Sequence, residues 1–116
     1  MSAPTLDTTI LNQMVEDLDR ETVEMLVETF IDELAGRLDR MAEAVQPVDV
    51  DVLQREAHAL KSSAGTYGLM RLYEIAVELD RVTKIGDAAA AGPLAAQLDD
   101  LGDAAVDALT EWQDAG

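Results

Sequence analysis

ETVEMLVETFIDELAGRLDRMAEA, residues Glu21–Ala44, repeats its apolar side chains every three or four positions. Val23, Val27, Phe30, Ile31, Leu34, Leu38 and Met41, continued by Val45, step around one face of a helix, whereas a strand would need them at alternate positions. A helix this long with one apolar stripe is stable only if the rest of the chain covers the stripe. The remaining sequence is built to do so.

Upstream, Ile10, Leu11, Met14, Val15 and Leu18 mark a short helix from about Thr8 to Leu18, with Asp7 as its cap. Downstream, Pro47 stops the long helix and Asp49 stands at an N-cap position. A third helix then runs through Val50, Leu53, Ala57, Leu60 and Ala64 and is expected to end at Gly65. Leu69, Leu72, Ile75, Ala76, Leu79 and Val82 predict a fourth, from about Gly68 to Lys84, closed by Gly86-Asp87. Gly92-Pro93 interrupts the alanine run at Ala88–Ala91, so the last helix is expected to open near Pro93. Its stripe is Leu94, Leu98, Leu101, Ala105, Leu109 and Trp112. Four long amphipathic segments joined by short turns predict an all-α fold, an antiparallel up-and-down four-helix bundle with a short additional N-terminal helix across one end.

The length of 116 residues accommodates one domain, expected over 1–116 with its core at about 7–113. With 48% hydrophobic and only 3% aromatic residues, the chain can build a core, and of a kind that suits closely packed helices better than sheets. The formal net charge of −16, from 24 acidic and 8 basic side chains, repels nucleic acid and anionic membrane and points to a protein partner. Cysteine is absent, and no apolar run reaches the roughly 20 residues of a membrane span, so a soluble, cytoplasmic protein is expected.

His58 is the only histidine. On the third helix it points away from Leu53, Ala57, Leu60 and Ala64, toward solvent. Arg55, Lys61, Ser62 and Gly65 share that exposed stripe, so two of the eight basic residues flank the ring. A neutral imidazole is a good nucleophile at physiological pH, and a neighbouring ammonium stabilises charge on transferring oxygens. Phosphoryl transfer asks mainly for positioning and charge neutralisation, which an exposed helix face can provide if a partner brings the metal. Ser62 and Gly65 would let that partner come close.

His58-Ala59-Leu60-Lys61-Ser62-Ser63-Ala64, followed by Tyr67-Gly68 and Leu72, resembles the signature of histidine-containing phosphotransfer domains. The resemblance extends to Asp49, Phe30 and Leu79-Asp80, and so covers nearly the whole chain. It implies a phosphocarrier in a multistep two-component phosphorelay that accepts a phosphoryl group on His58 from a receiver-domain aspartate and passes it to another receiver. Lys61 matches the family lysine near the phosphoryl group, and Gly68 the glycine that keeps the surface beside the histidine open. Ser62 replaces the family's usual glycine and could donate a hydrogen bond to phosphate. The implied partners are response-regulator receiver domains and a hybrid sensor kinase, with Mg²⁺ on the receiver and no cofactor on this chain, which would act as a monomer.

Blander readings stand beside these. Arg55 could simply pair with Asp51, Ser63 bond back to a backbone carbonyl, and Tyr67 and Leu60 belong to the core. No Asp-x-Asp-x-Asp-Gly loop or Glu-x-x-His pair suggests a metal site, and no Gly-x-x-x-x-Gly-Lys loop suggests an ATP site, so the chain is not expected to be a kinase. Ile10, Met14 and Leu69 are candidates for a docking surface. The alternatives are an adaptor bundle that works without phosphorylation, and a degenerate domain that docks on a receiver and blocks it.

Overall fold

The computed structural model describes residues 3–116. Its helices are α1 (Thr8–Asp17), α2 (Arg20–Glu43), α3 (Val50–Thr66), α4 (Met70–Lys84), α5 (Ala88–Ala95) and α6 (Leu98–Ala115). Helices α2, α3, α4 and α6 close a ring in which each packs on two others, α3 diagonally across from α6. The expected four-helix bundle is present. Leu34, Leu53, Leu60, Leu72, Leu79 and Leu109 fill its axis with at most 1% of their surface exposed. At one end the Phe30 and Tyr67 rings meet with centroids 4.9 Å apart.

Helix α1 closes the end where α2 begins, α3 turns into α4 and α6 finishes. The Asp7 amide donates to the Gly68 carbonyl at 2.8 Å, and the Trp112 indole N–H donates to Asn12 Oδ1 at 3.1 Å. Arg20 lies 3.9 Å over the Trp112 ring and donates to the carbonyls of Trp112 and Gln113, so the first residue of α2 caps the last turn of α6. Aspartates open four helices: the side chains of Asp7, Asp19, Asp49 and Asp87 each accept a backbone N–H of the first turn. This places negative charge at the positive ends of the helix dipoles.

Three expectations are corrected. Gly65 lies inside α3 and does not end it; the turn comes at Gly68, whose φ is +77°. There the Leu69 amide closes on the Ala64 carbonyl at 2.9 Å and the Gly68 amide on that of Gly65, a pairing that needs a left-handed residue. Consequently α4 starts at Met70, two residues past the expected Gly68. Lastly, Gly92-Pro93 does not block a helix: α5 runs through it from Ala88 to Ala95, and the break falls at Ala96-Gln97 instead. Proline removes one N–H, but the carbonyl it orphans belongs to exposed Ala89, while Ala91 and Ala95 are buried. Packing of these small side chains outweighs one lost bond.

Candidate functional site

His58 sits near the middle of α3 with 60% of its side chain exposed, as the helical arithmetic expects. Two buried carboxylates set the rotation of α3 that presents it. Toward α2, Glu56, only 6% exposed, accepts from Arg37 at 3.3 Å and Arg40 at 2.5 Å. Toward α4, Asp80, 2% exposed, accepts from Gln54 Nε2 at 3.1 Å and from Lys61 Nζ at 2.8 Å, both on α3. Ties of this kind resist rolling of the helix, since either carboxylate would lose its partners in a low-dielectric setting.

The Asp80 cluster is the chemical surrounding of the histidine. Its Oδ2 lies 3.7 Å from His58 Nδ1, 2.8 Å from Lys61 Nζ and 3.0 Å from Lys84 Nζ. Burial alone would push the Asp80 carboxyl up, but the hydrogen bonds from Lys61, Lys84 and Gln54 outweigh it and hold the group well below the usual carboxylate range. Asp80 is therefore an anion at any physiological pH. Two ammonium groups share its charge, so the cluster keeps a net positive charge beside the ring on a strongly acidic protein.

Each residue singled out in the sequence has a definite place. Lys61 lies in the cluster with its ammonium on Asp80. Arg55 is exposed, makes no ion pair with Asp51 or any other acid among the described residues, and lines a groove with Arg40, Pro47 and Val52 on the α2 side. Ser62 is exposed one turn beyond His58. Its neighbours Ser63 and Thr66 turn their hydroxyls back onto the carbonyls of Ala59 and Ser62, whereas no hydrogen bond engages the Ser62 hydroxyl among the described residues.

The glycines do other work than expected. Gly65 faces Tyr73 of α4: a Cβ there would stand 3.3 Å from the ring, so its lack of a side chain admits α4, not a partner. Gly68 is buried in the α3–α4 turn, roughly 15 Å along the helix direction from His58, and a Cβ there would lie 2.7 Å from the Asp7 carbonyl. It keeps no surface open beside the histidine. Leu69, expected in a docking surface, is fully buried, and Ile10 and Met14 are half-buried.

Gln54 and Lys84 were not singled out in the sequence, and Asp80 only as part of a resemblance. A signal for Asp80 existed: it follows Ala76 by one turn and Leu79 by one residue, which puts a carboxylate inside the buried arc of α4. Lys84 stands four residues beyond it, at pairing distance.

Residues 25–112 match the Hpt domain family. The phosphorelay protein LuxU of Vibrio vulnificus strain YJ016 is 36% identical over 84 residues, covering 68% of this chain and 73% of its own. LuxU of Vibrio harveyi is 32% identical over 84 residues, covering 68% and 74%. The crystal structure of histidine-containing phosphotransfer protein B (HptB) from Pseudomonas aeruginosa PAO1 superposes with a TM-score of 0.88 over 99% of both chains at 23% identity, a likeness of fold.

Proposed function

The chain belongs to the Hpt domain family and is a phosphocarrier of a multistep phosphorelay, and on that premise we propose that His58 Nε2 carries the phosphoryl group. The observation that supports this is the one exposed imidazole whose Nδ1 side faces the buried Asp80 anion between Lys61 and Lys84. A carboxylate on that side favours the tautomer with the proton on Nδ1, leaving the Nε2 lone pair directed outward as nucleophile.

In the forward step the Nε2 lone pair forms a bond to phosphorus of an aspartyl phosphate. The bond from phosphorus to the carboxylate oxygen breaks, and the receiver's aspartate leaves as a carboxylate. Positive charge that develops on the ring faces Asp80, and the net positive charge of the cluster offsets negative charge on the phosphoryl oxygens. Passing the group on reverses these events with a second receiver. Mg²⁺ belongs to the receivers in this scheme, and this chain contributes no cofactor.

The partners of such a carrier are receiver domains and a kinase. Our reading specifies a hybrid sensor kinase upstream, a monomeric carrier in the cytoplasm with no kinase activity of its own, and contact with the partner through Arg55 and Ser62 beside His58. Among the described residues no helix is long and apolar enough to cross a membrane.

The test is to incubate the protein with a receiver phosphorylated on its aspartate and follow the label on the wild type and on His58→Gln. Acid-labile, alkali-stable label on the wild type only is expected. Label retained by His58→Gln would move the phosphosite elsewhere, and no label from any receiver of the source organism would favour a docking bundle that works without phosphate.

A further inference from the structure

Two lysines converge on one carboxylate oxygen, yet they do so in unlike ways. Lys61 reaches Asp80 across the α3–α4 interface at 2.8 Å with 29% of its side chain exposed. Lys84 reaches the same atom at 3.0 Å from one turn further along α4 itself, with 54% exposed. The first bond ties two helices together; the second lies within one helix and engages a lysine that is more than half exposed, so less of the fold depends on it. Resting on the reading of His58 as phosphosite, we infer that Lys84 is the lysine that clamps the phosphoryl group, and that Lys61, the residue of the sequence motif, stays on Asp80 as its anchor.

A phosphohistidine places up to two negative charges close to the buried Asp80 anion, so the three charges repel unless both cations stay in the cluster. One cation must turn toward the new group while the other keeps Asp80 satisfied, since an unpaired buried carboxylate is costly. If Lys61 turned, the charged bond from α3 to Asp80 would be lost beside the reacting residue, leaving the neutral Gln54 bond to join the two helices there. If Lys84 turns, Asp80 keeps Lys61 and Gln54, and only a local pair is exchanged for another on an exposed, rotatable side chain. In the resting protein Asp80 thus parks the Lys84 ammonium within one side-chain swing of the ring. Lys84 is a phosphoryl-binding residue in this account, whereas Asp80 and Lys61 act on the reaction only by positioning.

The experiment charges the full chain with phosphoramidate, a small donor that needs no receiver, and titrates the phosphohistidine by ³¹P NMR in wild type, Lys84→Gln, Lys84→Arg and Lys61→Gln. A cation on the phosphoryl group favours its dianion, so its removal raises the second phosphoryl pKa. Lys84→Gln is expected to raise it by about half a pH unit, Lys84→Arg to restore most of the shift, and Lys61→Gln to leave it near wild type while lowering the melting temperature. A phosphoryl titration that moves with Lys61→Gln and not with Lys84→Gln would overturn the assignment. Failure of the underlying reading looks different, because the wild type itself would then show no phosphohistidine resonance that His58→Gln removes.

Discussion

Replacing Asp80 by Asn preserves shape and removes the charge to which Lys61 and Lys84 are bound. Breaking a fully buried ion pair on one side costs about 3–5 kcal/mol, but here both ammonium groups retain access to water. Lys61 is 29% and Lys84 54% exposed, so the expected loss is about 2 kcal/mol, most of it from the bond across α3 and α4. With a urea m-value of about 1.5 kcal/mol/M, the unfolding midpoint falls by about 1.3 M. Trp112, the single tryptophan and only 8% exposed, reports the transition through its fluorescence. Asp80 has a folded-state pKa below its ordinary value of 3.8, so its contribution is complete above that value and fades as pH falls toward the folded pKa. The gap between wild type and variant should therefore be constant from about pH 8 down to about pH 5 and narrow by about pH 3. Equal midpoints at neutral pH would refute the view of Asp80 as a tie between helices. A gap that persists unchanged at about pH 3 would show that shape, not charge, carries the effect.

Other expectations follow from the same structure. Gly68→Ala should lower stability by about 2 kcal/mol or more, because a Cβ at φ +77° is strained and would meet the Asp7 carbonyl. Thermal unfolding measures this, and a melting temperature within a degree or so of wild type would mean that α1 is not seated on that turn. Arg20→Ala removes both the cation over Trp112 and the cap on α6, a loss of about 1–2 kcal/mol, with a red shift of Trp112 emission as the ring gains water. Unchanged emission would argue that Trp112 is held by Asn12 and α1 alone.

How much of this was legible in the sequence differs between fold and site. The caps at Asp7 and Asp49, the long α2 and the outward direction of His58 were all readable, because each depends on neighbours within a turn of helix. The apolar stripes carried the bundle as well, since four long amphipathic helices with short turns have few ways to cover one another. Reading failed where a residue's task belongs to another element. Gly65 looked like a helix end and partner gap but serves Tyr73, and Leu69 looked available but is buried. Gly92-Pro93 looked like a break, yet the burial of Ala91 and Ala95 carries α5 through it.

The site shows the same division most clearly. By itself the sequence determined that one histidine would stand on the exposed face of α3 with Lys61 one turn away, because helix periodicity is set by the backbone. Tertiary structure alone decided that Lys61 and Gln54 of α3 would be bound to Asp80, whose i,i+4 pair with Lys84 is local to α4. Asp80 and its partners on α3 lie 19 and 26 residues apart, and they meet only because α4 folds back along α3 in one particular register. That register is set by core packing of Leu60, Ala64, Ala76 and Leu79, which holds polar groups in contact that no local pattern pairs.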